Sequence, residues 1–169
     1  MKKTARLALS MLPLLIGATA VGVSGTPAHA AEVNCNARPT PGIDLHGCDL
    51  RGKDLQNADL ARANLSNTNL TGVDLSKAWV YDADLTDANL TNANFTGAAL
   101  ERAKIVGSNV DGTNFTNAKL DGVKSSKATG NPASLPAGFR FYPTNLGCQG
   151  VFVGPKVDLQ DTCLYYSIT

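Results

Sequence analysis

From Ile43 to Val123 an apolar residue returns at every fifth position. The centres of this pattern are Leu45, Leu50, Leu55, Leu60, Leu65, Leu70, Leu75, Val80, Leu85, Leu90, Phe95, Leu100, Ile105, Val110, Phe115 and Leu120, and none is polar. Two residues before each centre the chain is usually small. Ala58, Ala63, Ala78, Ala83, Ala88, Ala93, Ala98, Ala103 and Ala118 hold that position, with Thr68, Thr113, Ser108, Cys48, Val73 and Val123 as variants. The unit reads A-(D/N)-L-X-X, and self-similarity at a fixed period is the mark of a repeat architecture.

A period of five excludes an amphipathic helix, because five steps of about 100° leave successive leucines roughly 140° apart and smear them around the axis. In an extended backbone, residues two apart point the same way. The small residue and the centre therefore face inward together, and the Asp or Asn between them faces outward. The remaining two residues have to turn a corner. Gly47, Gly52, Gly72, Gly97, Gly107, Gly112 and Gly122, with Asn57, Asn67, Asn92 and Asn117, fill the second of those positions. These residue types tolerate the backbone angles that turns need.

The tandem units resemble the pentapeptide repeat family over roughly residues 43–125. The resemblance implies an all-β fold, a right-handed quadrilateral β-helix whose units form the four sides of each coil. This chain would then have about four coils, closed by a C-terminal cap that contains a hairpin. Positions twenty apart should stack, which puts Phe95 under Phe115, Asn69, Asn89 and Asn109 in one column, and Thr71 and Thr91 in another. At ~4.8 Å per layer such a rod is roughly 20 Å long.

The flanks read differently. Lys2, Lys3 and Arg6 precede an apolar stretch from Leu7 to about Val23, and Ala28-His29-Ala30 supplies the small residues read at a cleavage site. Residues 1–30 are therefore expected to be an export signal removed after Ala30, which makes the mature protein secreted, with no membrane contact after cleavage. Residues 31–42 form an N-terminal cap segment. From Ser125 the register fails, and residues 126–156 form an interruption. Within it Phe139-Arg140-Phe141-Tyr142 and Val151-Phe152-Val153 predict a β-hairpin. Residues 157–169 resume the repeat in a shifted frame, with Val157-Asp158-Leu159 and Thr162-Cys163-Leu164 as inward pairs.

Charge narrows the function. Without Lys2, Lys3 and Arg6, twelve basic residues face fourteen acidic ones, for a net charge near −2. A nucleic-acid partner needs a basic face. The basic residues of the run (Lys53, Arg62, Lys77, Arg102, Lys104 and Lys119) read as scattered over different columns, so no nucleic acid is expected.

Cys35, Cys48, Cys148 and Cys163 flank the repeat and never interrupt it. An even count in an exported chain reads as disulfides. On the rod that the resemblance implies, Cys35–Cys48 and Cys148–Cys163 are the expected pairs. Cross pairings would have to span roughly 20 Å where a disulfide allows ~6 Å between Cα atoms.

No catalytic, cofactor-binding or metal site is expected. His46 is the only histidine beyond the signal, too few for a nucleophilic triad. Asp54 and Asp74 would be column neighbours, as would Asp44, Asn64 and Asp84. Stacked carboxylates could bind calcium or hydrolyse glycosides, but recurrence at one repeat position whatever the column is what a structural turn predicts. The Thr columns are too short and mixed for an ice-binding solenoid. Family members that mimic DNA and protect gyrase need a strongly anionic rod, which this nearly neutral chain lacks. The reading is a non-enzymatic structural or interaction module. The repeat departs most from its own rule at Trp79, the only Trp, standing where Asp or Asn belongs, with Tyr81 two residues on. Both should point outward, next to Ala99 and Ala61 and edged by Asp59 and Glu101. That is a surface for an extracellular protein, a cell-wall glycan or a second copy of the chain.

Overall fold

The structure, a computed structural model, describes residues 32–142 and 150–154. The expected signal, the pair Cys148–Cys163 and the resumed repeat at 157–169 lie outside the described residues. No helix occurs among the described residues, and the fold there is all-β.

Its main body is a stack of short extended sides joined by parallel bridges between residues twenty apart. One ladder runs Asp44, Asn64, Asp84, Lys104, Lys124; a second runs Asp49, Asn69, Asn89, Asn109, Thr129. The other two run Asp54, Asp74, Asn94, Asn114, Ser134 and Asp59, Trp79, Ala99, Lys119. Four pentapeptides therefore make each layer. Backbone donors are met from the neighbouring layer, as where the Leu90 N–H donates to the Asn109 carbonyl at 2.8 Å and the Asn109 N–H to the Ala88 carbonyl at 3.0 Å.

At each corner the carbonyl of the centre accepts from the N–H three residues on, Cys48 to Leu45 at 3.1 Å and Ala93 to Leu90 at 2.8 Å. The third residue of these turns has positive φ, the requirement of a type II turn. The Gly and Asn corners named above obey this. So do Arg62, Lys77, Asp82, Asp87, Arg102 and Lys127, at φ between 55° and 59°. The sequence signals corners only where Gly or Asn fills them. Non-glycine residues pay a modest strain there, which the ladders on either side overcome.

All sixteen centres are buried, from Leu55 at 6 % to many at 0 % exposure. Burying one Leu contributes about 1.5–3 kcal/mol, so this inward column carries the stability of the solenoid. Polar residues on the inner wall are satisfied by carbonyls. Thr68 Oγ1 donates to Leu65 O at 2.6 Å, Ser108 Oγ to Leu85 O at 2.8 Å and Thr113 Oγ1 to Leu90 O at 2.8 Å. Phe95 does stack on Phe115, with centroids 5.4 Å apart.

Both ends of the core are covered. Cys35 and Cys48 form a disulfide, as expected, and Val33, Cys35 and Ile43 pack against the first layer. At the other end the ladders continue beyond Ser125 to Thr129 and Ser134, although the five-residue apolar register has ended. Backbone pairing needs only an extended chain, so it leaves no trace in the apolar pattern. Strands β1 (Arg140–Tyr142) and β2 (Val151–Val153) then pair antiparallel, with Phe141 opposite Phe152. Phe152 is fully buried, sits edge-on to Phe115 at 5.4 Å and donates its backbone N–H to Ser125 Oγ at 3.0 Å.

Candidate recognition surface

The outward Asp or Asn of each unit has a local task. Its Oδ1 accepts the N–H two residues on, closing the corner. Asn69 holds Thr71 at 3.2 Å, Asp74 holds Ser76 at 2.8 Å and Asn89 holds Thr91 at 3.1 Å. The same bond recurs wherever Asp or Asn holds this place between Asp44 and Asn114, which identifies the regular spacing of Asp and Asn as turn chemistry.

The Asp59 ladder departs from this most; in the Asp44 ladder the side-chain acceptor is lost only beyond Asp84, at Lys104 and Lys124. Asp59 holds Ala61 at 3.2 Å, but the next three residues in its column are Trp79, Ala99 and Lys119, none of which has a side-chain acceptor. Three successive corners thus forgo a hydrogen bond of about 0.5–1.5 kcal/mol. What stands there instead is an open groove of about 410 Å³ lined by Trp79, Tyr81, Ala99, Glu101 and Arg102. Trp79 is 55 % exposed, whereas Tyr81 is half-buried. Of the two alanines expected to leave the rings open, only Ala99 lines the groove; Ala61 is fully buried.

Glu101 forms one wall. Its Oε2 is shielded from solvent and has no hydrogen-bond partner, while Oε1 lies 4.0 Å from Lys119 Nζ. Arg102 forms the rim and is held from one layer below. Its Nε donates to Asp82 Oδ1 at 2.7 Å and its Nη2 to Asp82 Oδ2 at 2.6 Å, a bidentate pair. These bonds, with the charges of Arg102 and Arg62, hold the Asp82 carboxyl below its usual range, and Asp82 in turn raises Arg102. Arg62 and Arg102 therefore stand in one corner column with Asp82 between them, not in separate columns as the sequence suggested. Arg102 is the groove residue that the sequence reading missed. The signal was present in the twenty-residue spacing of Asp82 and Arg102.

The other candidates are engaged locally. His46 Nδ1 pairs with Asp44 Oδ1 at 3.0 Å on the exposed surface. Asp54 and Asp74 are bridged neighbours, but Asp74 accepts from Gln56 Nε2 at 2.7 Å and Asn94 Nδ2 at 3.1 Å. The hydroxyls of Thr71 and Thr91 donate to Asn69 and Asn89 at 2.7 Å, so they serve the corners. Among the described residues no three His, Cys, Asp or Glu side chains gather as metal ligands would.

The family model described as pentapeptide repeat region matches residues 43–115. Among solved structures, the chain is similar to HetL, a pentapeptide repeat protein involved in heterocyst differentiation regulation from the cyanobacterium Nostoc sp. strain PCC 7120. The identity is 26% and the TM-score 0.52, over 53% of this chain and 44% of HetL. A pentapeptide repeat protein of the Arabidopsis thaliana thylakoid lumen matches at 32% identity and TM-score 0.30, over 50% of this chain and 66% of that one. Full-length QnrB1, a plasmid-mediated fluoroquinolone resistance protein, matches at 24% identity and TM-score 0.39, over 50% of this chain and 54% of QnrB1. The chain thus spans less than half the length of HetL. No curated protein matches it.

Proposed function

Starting from the premise that residues 43–115 are a pentapeptide repeat region, we propose that the chain is an exported, non-enzymatic recognition module whose working face is the groove at Trp79 and Tyr81. In this reading the solenoid is right-handed, of about four coils, with the β1–β2 pair as its C-terminal cap. The scaffold holds the rings still, and the groove meets the partner.

The observation that carries the reading is the column Trp79, Ala99, Lys119. A repeat that closes its corners with Asp or Asn almost everywhere gives up that bond at three adjoining positions, and the first of them, Trp79, leaves a large aromatic ring open. Exposed aromatic surface with a polar border is the usual make-up of a recognition site. Export is supported by the basic and apolar N-terminal stretch and the Ala28-His29-Ala30 site, and by the Cys35–Cys48 disulfide, a bond that persists in oxidising compartments.

The test uses the full chain and its Trp79→Ala variant, each immobilised against the extracellular fraction and isolated cell wall of the source cells. The expected result is a partner retained by the parent chain and lost by the variant at an unchanged melting temperature. Equal capture by both would remove the groove from the function. Sequencing the N-terminus of the exported protein should return Ala31; a retained Met1 would overturn the export reading.

A further inference from the structure

We propose that the face carrying Trp79 binds a second copy of this chain, face to face about a two-fold axis that crosses it between Trp79 and Ala99. This rests on the reading of that face as the recognition surface and names its partner.

The order of side chains along the ladder carries the inference. From the first layer to the fourth it runs Asp59, Trp79, Ala99, Lys119: an acid, a large exposed ring, a small apolar residue and a base. A two-fold axis through the middle of this column reverses its order in the second copy. Trp79 then falls opposite the partner's Ala99, and Asp59 opposite the partner's Lys119. The large residue meets the small one and each charge meets its opposite, which is the self-complementarity that an isologous dimer demands. The corner columns on either side reverse in the same way. They bring Lys77 opposite the partner's Glu101 and Tyr81 opposite the partner's Gly97, so no like charges are opposed there. The other three ladders present Asp, Asn, Lys, Thr and Ser and no apolar residue, so none has a ring to bury.

The charges at the two ends of the column are free to turn outward. The side chain of Lys119 is 69 % exposed, and among the described residues Asp59 makes only the corner bond to the Ala61 N–H. The groove beside the Trp79 ring lies over Ala99, where the partner's ring is seated. The two indoles then meet side by side, one layer spacing of ~4.8 Å apart along the solenoid. Three such spacings, roughly 14 Å, separate Asp59 from Lys119, and a footprint of that height belongs to the weak, transient class of interface. A dissociation constant on the order of 100 µM is expected.

Sedimentation velocity on the full chain between about 5 µM and about 1 mM should show monomer passing to dimer. Over the same range the emission of Trp79, the only tryptophan, should shift to the blue as its ring leaves water. Trp79→Ala should stay monomeric throughout. Asp59→Lys and Lys119→Asp each set like charges against each other at both ends of the column. Each should weaken the dimer roughly tenfold or more, with circular dichroism melts showing both folded. Mixed in equal amounts, these two variants should associate with each other about as tightly as the parent chain does with itself, because one then carries both bases and the other both acids. A parent chain still monomeric at about 1 mM, a dimer that survives Trp79→Ala, or a mixture no more associated than its components would each overturn the proposal. A monomeric chain whose Trp79 still captures an extracellular partner would overturn the second copy while leaving the recognition face in place.

Discussion

The columns Asn69–Asn89–Asn109 and Asp59–Trp79–Ala99–Lys119 hang on the same kind of parallel ladder, yet their side chains do different things. In the first, Asn69 and Asn89 each tie down a backbone N–H and a threonine hydroxyl, the latter at 2.7 Å. In the second, only Asp59 makes the side-chain corner bond, and the three residues above it leave their corners to the backbone hydrogen bonds alone. Since the backbone path is the same in both, the outward side chain is a local reinforcement and not a condition of the fold. A solenoid with many equivalent corners can release a few of them for contact with something else, because each layer is held by its neighbours.

Substitutions that break this comparison should differ in size by where they fall. The largest effect is expected inside, where the columns share one core. Leu90→Ala removes a fully buried side chain and should destabilise the protein by about 2–5 kcal/mol in urea melts, whichever column lies outside it. A loss within about 0.5 kcal/mol would mean that the inward column does not set stability. Next comes the reinforcing column itself. Asn89→Ala removes the acceptor for the N–H and hydroxyl of Thr91 and should cost about 0.5–1.5 kcal/mol, whereas Ala99→Ser on the other column should change stability little.

These contrasts also mark what could be read in the sequence. Every centre named from the five-residue period is buried, and Phe95 and Phe115 stack as the twenty-residue layer requires. The pairing of Phe139–Tyr142 with Val151–Val153 was legible from their β-branched and aromatic content, and the structure narrows it to Arg140–Tyr142. The corners at Arg62, Lys77, Asp82, Asp87, Arg102 and Lys127 were not, because a positive φ imposed by neighbouring layers needs no special residue type. The ladder beyond Ser125 escaped for a similar reason, since backbone hydrogen bonds carry no side-chain signature. In the groove, Trp79, Ala99 and Glu101 could be placed by counting twenty residues. The orphaned Glu101 Oε2 could not, and the twenty-residue spacing marks Asp82 and Arg102 as neighbours without revealing their bidentate pairing, because both details depend on side-chain rotamers at a corner.

A smaller effect should come from acid. Hydrogen bonds from the Ser76 backbone, Gln56 and Asn94 hold the Asp74 carboxyl below its ordinary value of 3.8. For Asp84, burial works to raise it, but bonds from Thr86 and Lys104 outweigh that and the net shift is again downward. A carboxylate depressed in the folded state contributes stability that is present above its unfolded value and lost as pH falls through the folded one. Urea midpoints should therefore hold steady at neutral pH and decline as pH drops below 3.8. Asp74→Asn keeps the corner acceptor, as Asn94 does one layer on, and should make that decline shallower. An identical acid profile in the variant would show that Asp74 contributes nothing to it.

The smallest effect on stability, and the most telling, should follow from Trp79→Asn, which returns the departing column to the rule of the rest. The new side chain can accept the Tyr81 N–H as Asn69 accepts that of Thr71, so the melting temperature should stay level or rise, by the equivalent of up to about 1 kcal/mol. Measured side by side with the parent chain by circular dichroism and by partner capture, the variant should be at least as stable and should capture nothing. A fall in stability of more than about 1 kcal/mol would instead make Trp79 a shield over the sheet, and the division between reinforcing and recognising columns would not stand.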